Sequence, residues 1–181
     1  DCDGLTSVTI PNSVESIGDY AFCDCSGLTS VTIGNSVESI GERAFGGCSG
    51  LTEMKVDANN SKYDSREGCN AIIETESGRL LSACSETEIP PSVKSIEFFA
   101  FCGLLQMTDI RIPASVLDVR NGAIVECPCL TNIEVDKKNP KYYVKDGCLI
   151  DKDTKTLVCG SAFSNIPNDV TSIADYAFRG M

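Results

Sequence analysis

The residues best suited to chemistry in this sequence are its eleven cysteines, and the chain contains no histidine to act with them. Two pairs, Cys23/Cys25 and Cys127/Cys129, are separated by a single residue, whereas zinc knuckles are typically spaced C-x-x-C or completed by histidine. The lack of histidine also removes the usual base that activates a serine or cysteine nucleophile. We therefore expect neither a metal site nor thiol catalysis.

Acidic residues are the next candidates, but they form no recognisable active-site arrangement. The 26 Asp and Glu residues are scattered, and no glycine-rich phosphate loop follows a strand. The loops Asp57–Asn60 and Asp136–Asn139 offer calcium-binding residue types, yet they lack the sixth-position glycine and closing glutamate of an EF-hand. Asx turns are the favoured interpretation. We expect the chain not to be an enzyme and to hold no cofactor.

A repeated segment organises the chain. The sequence LTSVTI at Leu5–Ile10 returns unchanged at Leu28–Ile33 and as LTEMKV at Leu51–Val56, each 23 residues after the last. A fixed period of this size predicts a solenoid, in which each repeat buries its apolar edge against its neighbours. The L-x-x-L-x-L pattern is typical of a leucine-rich-repeat strand whose threonines and serines face outward.

Two inserts, at about 57–84 and 136–160, interrupt this pattern. Each contains two short apolar runs around a polar turn, which predicts a β-hairpin. One register in each hairpin pairs apolar residues throughout and places Cys69 opposite Cys84 and Cys148 opposite Cys159. A bulge near Gly78 could shift the first hairpin by one residue. Directly opposed strand residues are close enough for a disulfide, so oxidation could bridge each pair, although they could equally be packing residues.

Four other cysteines, Cys2, Cys25, Cys48 and Cys127, occupy one repeat position that Leu104 fills in another repeat. This exchange with leucine indicates an apolar site, where a buried free thiol is common. Equivalent residues of stacked strands are about 4.8 Å apart, which is too far for a disulfide between their Cβ atoms. We expect these cysteines to stay reduced.

The repeat L-T-S-V-T-I-P-N-S-V-x-S-I-G-x-x-A-F-x-x-C-S-G resembles the BspA-like, treponemal class of leucine-rich repeat, and so does the hairpin sequence Asn70–Thr75. The resemblance implies a β-rich solenoid of the α/β repeat class, with short parallel strands in one sheet and two inserted hairpins. Residues 1–181 would form a single solenoid segment of a longer protein. The resemblance also implies a secreted or cell-surface location and adhesion to host matrix proteins or cells, with no family-wide binding residues.

The outward positions of the predicted sheet are the best candidates for partner binding, because solenoids use such broad surfaces. Charge enters these positions only from the third repeat onward. The candidates are Thr52, Glu53, Lys55, Thr108, Asp109, Arg111, Thr131, Asn132 and Glu134. The hairpins are the rival surface, and solvent-facing threonine without any binding role is the plain alternative.

The composition limits the partners. A net charge of −11 disfavours nucleic acid and anionic membranes, and no apolar run approaches the ~20 residues of a membrane span. A protein or glycan ligand remains, and the resemblance implies host extracellular matrix as one such ligand. The alternative function is a structural spacer that presents another domain, and a recognition arm of an enzyme encoded in the same chain is a third. No polar cap is recognisable at the ends, so we also expect end-to-end self-association.

Overall fold

The computed structural model describes residues 2–181, in which short strands dominate and the one helix is the 3-10 turn Arg66–Gly68. The strands in chain order are β1 (Ser7–Thr9), β2 (Ser16–Ile17), β3 (Ser30–Ile33), β4 (Ser39–Ile40), β5 (Glu53–Val56), β6 (Tyr63–Asp64), β7 (Ala71–Glu74), β8 (Arg79–Ala83), β9 (Ser95–Ile96), β10 (Phe101–Cys102), β11 (Asp109–Ile112), β12 (Asp118–Val119), β13 (Ile124–Val125), β14 (Asn132–Val135), β15 (Tyr142–Lys145), β16 (Cys148–Asp151), β17 (Thr156–Gly160) and β18 (Ser172–Ile173). They stack as the coils of a solenoid, which confirms the predicted fold class.

We number the coils from the residue that opens each: coil 1 at Leu5, 2 at Leu28, 3 at Leu51, 4 at Cys84, 5 at Met107, 6 at Leu130 and 7 at Ser161.

The first face of the solenoid consists of β1, β3, β5, β11 and β14 together with residues 84–89. Equivalent residues pair in parallel register, as in Val31 with Val8 and Met54. Along each strand alternate side chains point inward and outward, so Val31 and Met54 are buried while their polar neighbours face solvent. The period of 23 residues therefore sets both the stacking and the exposed face.

The prediction of a single parallel sheet is wrong for this face, which is divided into β1-β3-β5 and β11-β14. The break falls at residues 84–89, because Thr87 stands where other coils have a core residue such as Val8 or Met54. Its hydroxyl accepts a hydrogen bond from the Cys84 N–H at 2.8 Å and donates one to the Asn70 carbonyl at 2.6 Å. These bonds tie residues 84–89 to the neighbouring insert. The segment therefore does not continue the strand ladder of the first face.

Both inserts contain the predicted hairpins, β7–β8 and β16–β17, and both are built into the solenoid. Strand β8 pairs in parallel with β9, and β17 pairs with β18. The first hairpin is buried on both sides, because Ile72 joins the core of coils 1–3 whereas Ile73 joins the core of coils 4–6. This explains why its strands are apolar at consecutive positions, as strands covered on both sides generally are.

The predicted hairpin register is correct beside each turn and wrong beyond a bulge. In the first hairpin Ile73 pairs with Leu80 as expected, but Ile72 pairs with Ser82. The extra residue turns the following side chains to the other face. As a result Cys69 lies in the core of coils 4–6 and Cys84 in that of coils 1–3.

The second hairpin repeats this shift. Ile150 pairs with Leu157 as expected, but Leu149 pairs with Cys159 and Cys148 with Gly160. Cys148 and Cys159 consequently belong to different clusters of the core. The direct opposition on which both hairpin disulfides depended is absent, and all eleven cysteines are free thiols in the structure.

The solenoid has three sides: the first face, a second side with β2, β4, β9, β12 and β18, and a third side. The third side carries β10 and β13 and the turns that lead back to the first face. Aromatic rings stack here from coil to coil, as for Phe22 and Phe45 with ring centroids 5.3 Å apart. Coil 3 leaves this side open, so coil 2 meets coil 4 directly and the Gly47 N–H donates to the Cys102 carbonyl at 2.9 Å. A Cβ atom on Gly103 would lie 2.6 Å from the Gly47 Cα, so this contact requires glycine.

Candidate partner-binding face

The outward threonines at the start of each strand are tied to the solenoid itself. The hydroxyl of Thr52 donates to the Thr29 carbonyl at 3.3 Å, and the hydroxyl of Thr131 donates to the Thr108 carbonyl at 3.3 Å. Each hydroxyl thus bonds to the coil before it. Thr52 and Thr131 are exposed as predicted, but their hydroxyls already have partners within the chain.

The charged candidates fall into two groups, one on each part of the divided first face. Glu53 and Lys55 lie on β5, where the Lys55 Nζ is 2.5 Å from the Glu53 Oε1. This ion pair is solvent-exposed, and such pairs contribute little to stability, typically ~0–1 kcal/mol. Both groups therefore remain available to a partner at small cost.

The second group, on β11 and β14, is held by a network of side chains. Asp109 pairs in register with Asn132, whose amide donates to the Asp109 carboxylate at 3.0 Å and to that of Glu134 at 3.4 Å. The Thr108 hydroxyl donates to Asp109 at 2.6 Å. The hydrogen bonds from Thr108 and then Asn132 hold the pKa of Asp109 below its ordinary value. An oriented anionic patch results.

Arg111 is the cation of this face that lacks an ion pair within residues 2–181, although it pairs in register with Glu134. It is exposed and borders two surface grooves, one of about 490 Å³ and one of about 290 Å³. The larger groove is also lined by Thr87, Glu88, Ile89, Pro91, Pro113 and Asp136. The Arg111 guanidinium is thus free to bind an incoming carboxylate in the bidentate manner that arginine favours.

Two further residues of this face, Glu86 and Glu88, were missed from the sequence. Both are exposed and stand in coil 4 at the repeat positions of Ser7 and Thr9. They were missed because the insert was taken to end at about residue 84 and no repeat strand was assigned before Ile89. The signal was present in the segment Ile89–Val93, whose Ile-Pro-x-Ser-Val pattern matches residues 10–14 and fixes the repeat positions of Glu86 and Glu88.

The cysteines of the repeat position are buried as expected, with the exception of the exposed Cys2. Burial raises the pKa of Cys48 to about 12 and that of Cys127 to about 11, so neither is a thiolate near neutral pH. The thiol of Cys48 donates to the Phe22 carbonyl at 3.0 Å. Within residues 2–181 no cluster of three Cys, Asp or Glu side chains is arranged to hold a metal ion.

The two Asp/Asn loops are Asx turns that pack against the preceding coil. Asp57 and Asp136 each accept a hydrogen bond at 2.8 Å from the N–H two residues on. Asn139 donates to the Pro113 and Val116 carbonyls, at 2.8 and 3.0 Å. Asn60 makes the equivalent bonds one insert earlier. These side chains are therefore satisfied by the backbone.

The stacked coils, the outward threonines and the parallel first face define a leucine-rich-repeat solenoid. The family model described as the BspA type leucine rich repeat region matches residues 1–76 and 79–152 in six copies, and the chain belongs to this family. No curated protein matches the sequence. No helix among residues 2–181 has the length and apolar character needed to cross a membrane.

Three solved structures share the fold. A leucine-rich repeat protein from Eubacterium ventriosum is 22% identical, with a TM-score of 0.62 over 99% of this chain and 46% of that one. A leucine rich cell surface protein from Faecalibacterium prausnitzii is 24% identical, with a TM-score of 0.59 over 99% of this chain and 52% of that one. The pneumococcal vaccine antigen PcpA is 19% identical, with a TM-score of 0.51 over 96% of this chain and 42% of that one. The chain thus spans about half the length of these proteins.

Proposed function

We propose that this chain is a non-catalytic binding module of a secreted or cell-surface protein, and that it recognises a host matrix protein or a host cell through the first face. The observation that carries the proposal is the change along that face from serine and threonine in coils 1 and 2 to charged side chains in coils 3–6. The cell-surface protein from F. prausnitzii, which shares the fold, is consistent with this location.

The physical basis is an exposed surface with fixed charges and, among residues 2–181, one cation of this face without an ion pair, Arg111. Asp109 is oriented by two hydrogen bonds, and Arg111 is exposed beside two grooves. A surface prepared in this way loses little conformational entropy on binding, which favours a specific partner. Its acidic majority would orient and accelerate the approach of a basic partner surface.

The test is surface binding of the chain to a panel of host matrix proteins and glycans. A variant with Glu53, Lys55, Asp109 and Arg111 all changed to serine should lose saturable binding at least tenfold, since each tenfold corresponds to ~1.4 kcal/mol. The matched control variant has Glu15, Lys94, Asp175 and Arg179 changed to serine. These residues lie away from the first face, so this variant should bind like the wild type. Equal binding by all three proteins would contradict the proposal.

A structural spacer is the second candidate, favoured by the near identity of the first two coils. Serine and threonine occupy nearly all of their outward positions on the first face, which is typical of a generic stack. A spacer would bind no member of the panel, whereas a binding module would bind at least one. Absence of binding across the panel would therefore favour the spacer.

We infer in addition that the isolated chain associates end to end. Coil 7 exposes Phe163, Ile166 and Ile173, of which Phe163 is 81% exposed. Association would cover these apolar side chains. Sedimentation velocity should show an average mass that rises with concentration, and the rise should be weaker for Phe163→Ser. A monomer at every concentration would refute the association.

A further inference from the structure

A second surface feature, which we call the notch, opens where the first hairpin ends between coils 2 and 4. Strands β6, β7 and β8 separate these coils on one side, but the coils touch at Gly47 and Gly103 on the third side. Two layers that are spread at one edge and joined at the other leave a wedge-shaped opening. The notch has a volume of about 260 Å³ and is lined by Ile40, Gly41, Glu42, Arg43, Arg79, Leu81, Glu97 and Phe98.

Phe98 departs from the repeat pattern at the notch. The equivalent positions in coils 1, 2, 5 and 7 hold Asp19, Glu42, Asn121 and Asp175, all polar, as suits an exposed corner. Phe98 is nevertheless 44% exposed. Packing of the coils therefore does not require a ring here, and this exposed ring borders the opening together with Glu42, its equivalent in coil 2.

The polar groups of the notch are held in place by their neighbours. The Arg79 Nε is 3.2 Å from the Glu97 Oε1, which also accepts a hydrogen bond from the Ser95 hydroxyl at 3.0 Å. Arg43 lies over the Phe99 ring, 4.8 Å from its centroid. The carboxylate of Glu42, by contrast, has no ion pair within residues 2–181.

These features indicate the chemistry of the ligand. Two guanidinium groups and two carboxylates line the notch, so its formal charge is zero and it favours neither an anion nor a cation. The volume is smaller than the ~300–1,000 Å³ typical of pockets for drug-sized ligands. An exposed aromatic ring packs well against the C–H groups on the flat side of a sugar. The carboxylate of Glu42 can accept hydrogen bonds from two adjacent hydroxyl groups. Arg79, whose Nε and Nη2 already donate to Glu97, has further N–H groups on Nη1 and Nη2 to donate to a sugar oxygen.

We propose that the notch binds one neutral pyranose ring of a glycan, stacked on Phe98 and hydrogen-bonded by Glu42 and Arg79. This site lies away from the first face and is independent of the binding function assigned to that face. Its ligand class is set by the combination of an exposed ring, balanced charge and small volume.

The test uses methyl pyranosides of neutral hexoses and N-acetylhexosamines as probes, with saturation-transfer NMR for detection and titration for affinity. At least one probe should bind the wild-type chain. Phe98→Ala should weaken it about tenfold or more, which corresponds to the loss of one stacking contact, and Phe98→Tyr should retain it. Tyr20→Ala, which removes another exposed aromatic ring outside the notch, is the matched control and should bind like the wild type.

Two results would overturn the proposal. One is the absence of saturation transfer to every probe, and the other is equal affinity of the Phe98→Ala and wild-type chains. Phe98 is exposed, so its replacement should leave folding intact, and circular dichroism would verify this. Matrix-protein binding by the first face should be unchanged in Phe98→Ala, which separates this test from that of the proposed function.

Discussion

At the scale of single residues, Asn139 is a main connector between coils 5 and 6. Its side chain is 1% exposed and makes four hydrogen bonds to backbone groups. It donates to Pro113 and Val116 and accepts from the N–H groups of Lys141 and Tyr142, both at 2.8 Å. Buried backbone groups left without partners are costly, so this one amide stabilises the turn and the stacking together.

Replacement of Asn139 should therefore lower the stability of the protein more than is usual for a side chain in a loop. Asn139→Ala should lower the free energy of unfolding by about 3 kcal/mol, because several buried polar groups lose their partner at once. Urea denaturation would measure the change. Asn168→Ala, at an exposed position, is the control and should shift stability by less than ~0.5 kcal/mol. Similar small effects for both variants would show that water replaces the lost bonds.

The buried thiols give the protein a predictable response to alkaline pH. Burial raises the pKa of Cys48, Cys102 and Cys159 to about 12, from an ordinary value of 9.0. In the unfolded chain these thiols ionise near 9 and release protons that the folded chain retains. Their contribution to stability is complete below that pH and is lost as the pH rises toward 12.

We therefore expect the urea midpoint under reducing conditions to fall steadily between pH 8 and pH 10.5. A variant with Cys48→Ala and Cys102→Ala should show a shallower fall, since two of the titrating groups are gone. A midpoint that does not change over this range, or an equal slope in the variant, would argue against the ionisation of these thiols as the cause.

At the scale of elements, each hairpin separates two parts of the core. The bulges turn Cys69 and Cys84 toward different clusters, and likewise Cys148 and Cys159. We therefore expect that mild oxidation does not bridge them. Alkylation under denaturing, non-reducing conditions should add eleven labels by intact mass. A species with two or four fewer labels, with the missing sites mapped to these residues, would support the disulfides instead.

The contact between coils 2 and 4 depends on Gly47 and Gly103. These two glycines let the coils touch on the third side, where coil 3 contributes nothing. Gly103 has a φ of +70°, and a Cβ atom there would lie 2.6 Å from the Gly47 Cα. Gly103→Ala should therefore destabilise the chain by about 3 kcal/mol or more, through backbone strain and a clash. Gly68→Ala is the control, because Gly68 has a φ of +67° with open space around it. Only the strain of about 1 kcal/mol should remain there.

Denaturation of both glycine variants would separate the two effects. A larger loss for Gly103→Ala would show that direct stacking of coils 2 and 4 stabilises the solenoid. Equal losses would mean that the coils move apart at little cost.

At the scale of the whole molecule, the period of 23 residues was enough to predict the solenoid and the outward positions of the first face, and the paired apolar runs of the inserts predicted the two hairpins. A bulge in the first hairpin was allowed for near Gly78, but its place opposite Ile72 and Ile73 and the bulge of the second hairpin were not predictable. The shifted register still buries apolar residues on both sides of each strand. The break in the first face was missed because Thr87 forms its decisive bonds with Asn70, which belongs to the insert. The notch depends on coils 2 and 4 meeting across coil 3, which no local sequence pattern records.

The measurement that tests the central claim most directly is amide hydrogen exchange of the chain with and without the matrix protein that it binds. We predict protection concentrated at residues 108–112 and 131–135, on the charged part of the first face, with β7, β8, β16 and β17 unchanged. Protection confined to those four hairpin strands, with residues 108–112 and 131–135 exchanging as in the free chain, would contradict recognition through the first face.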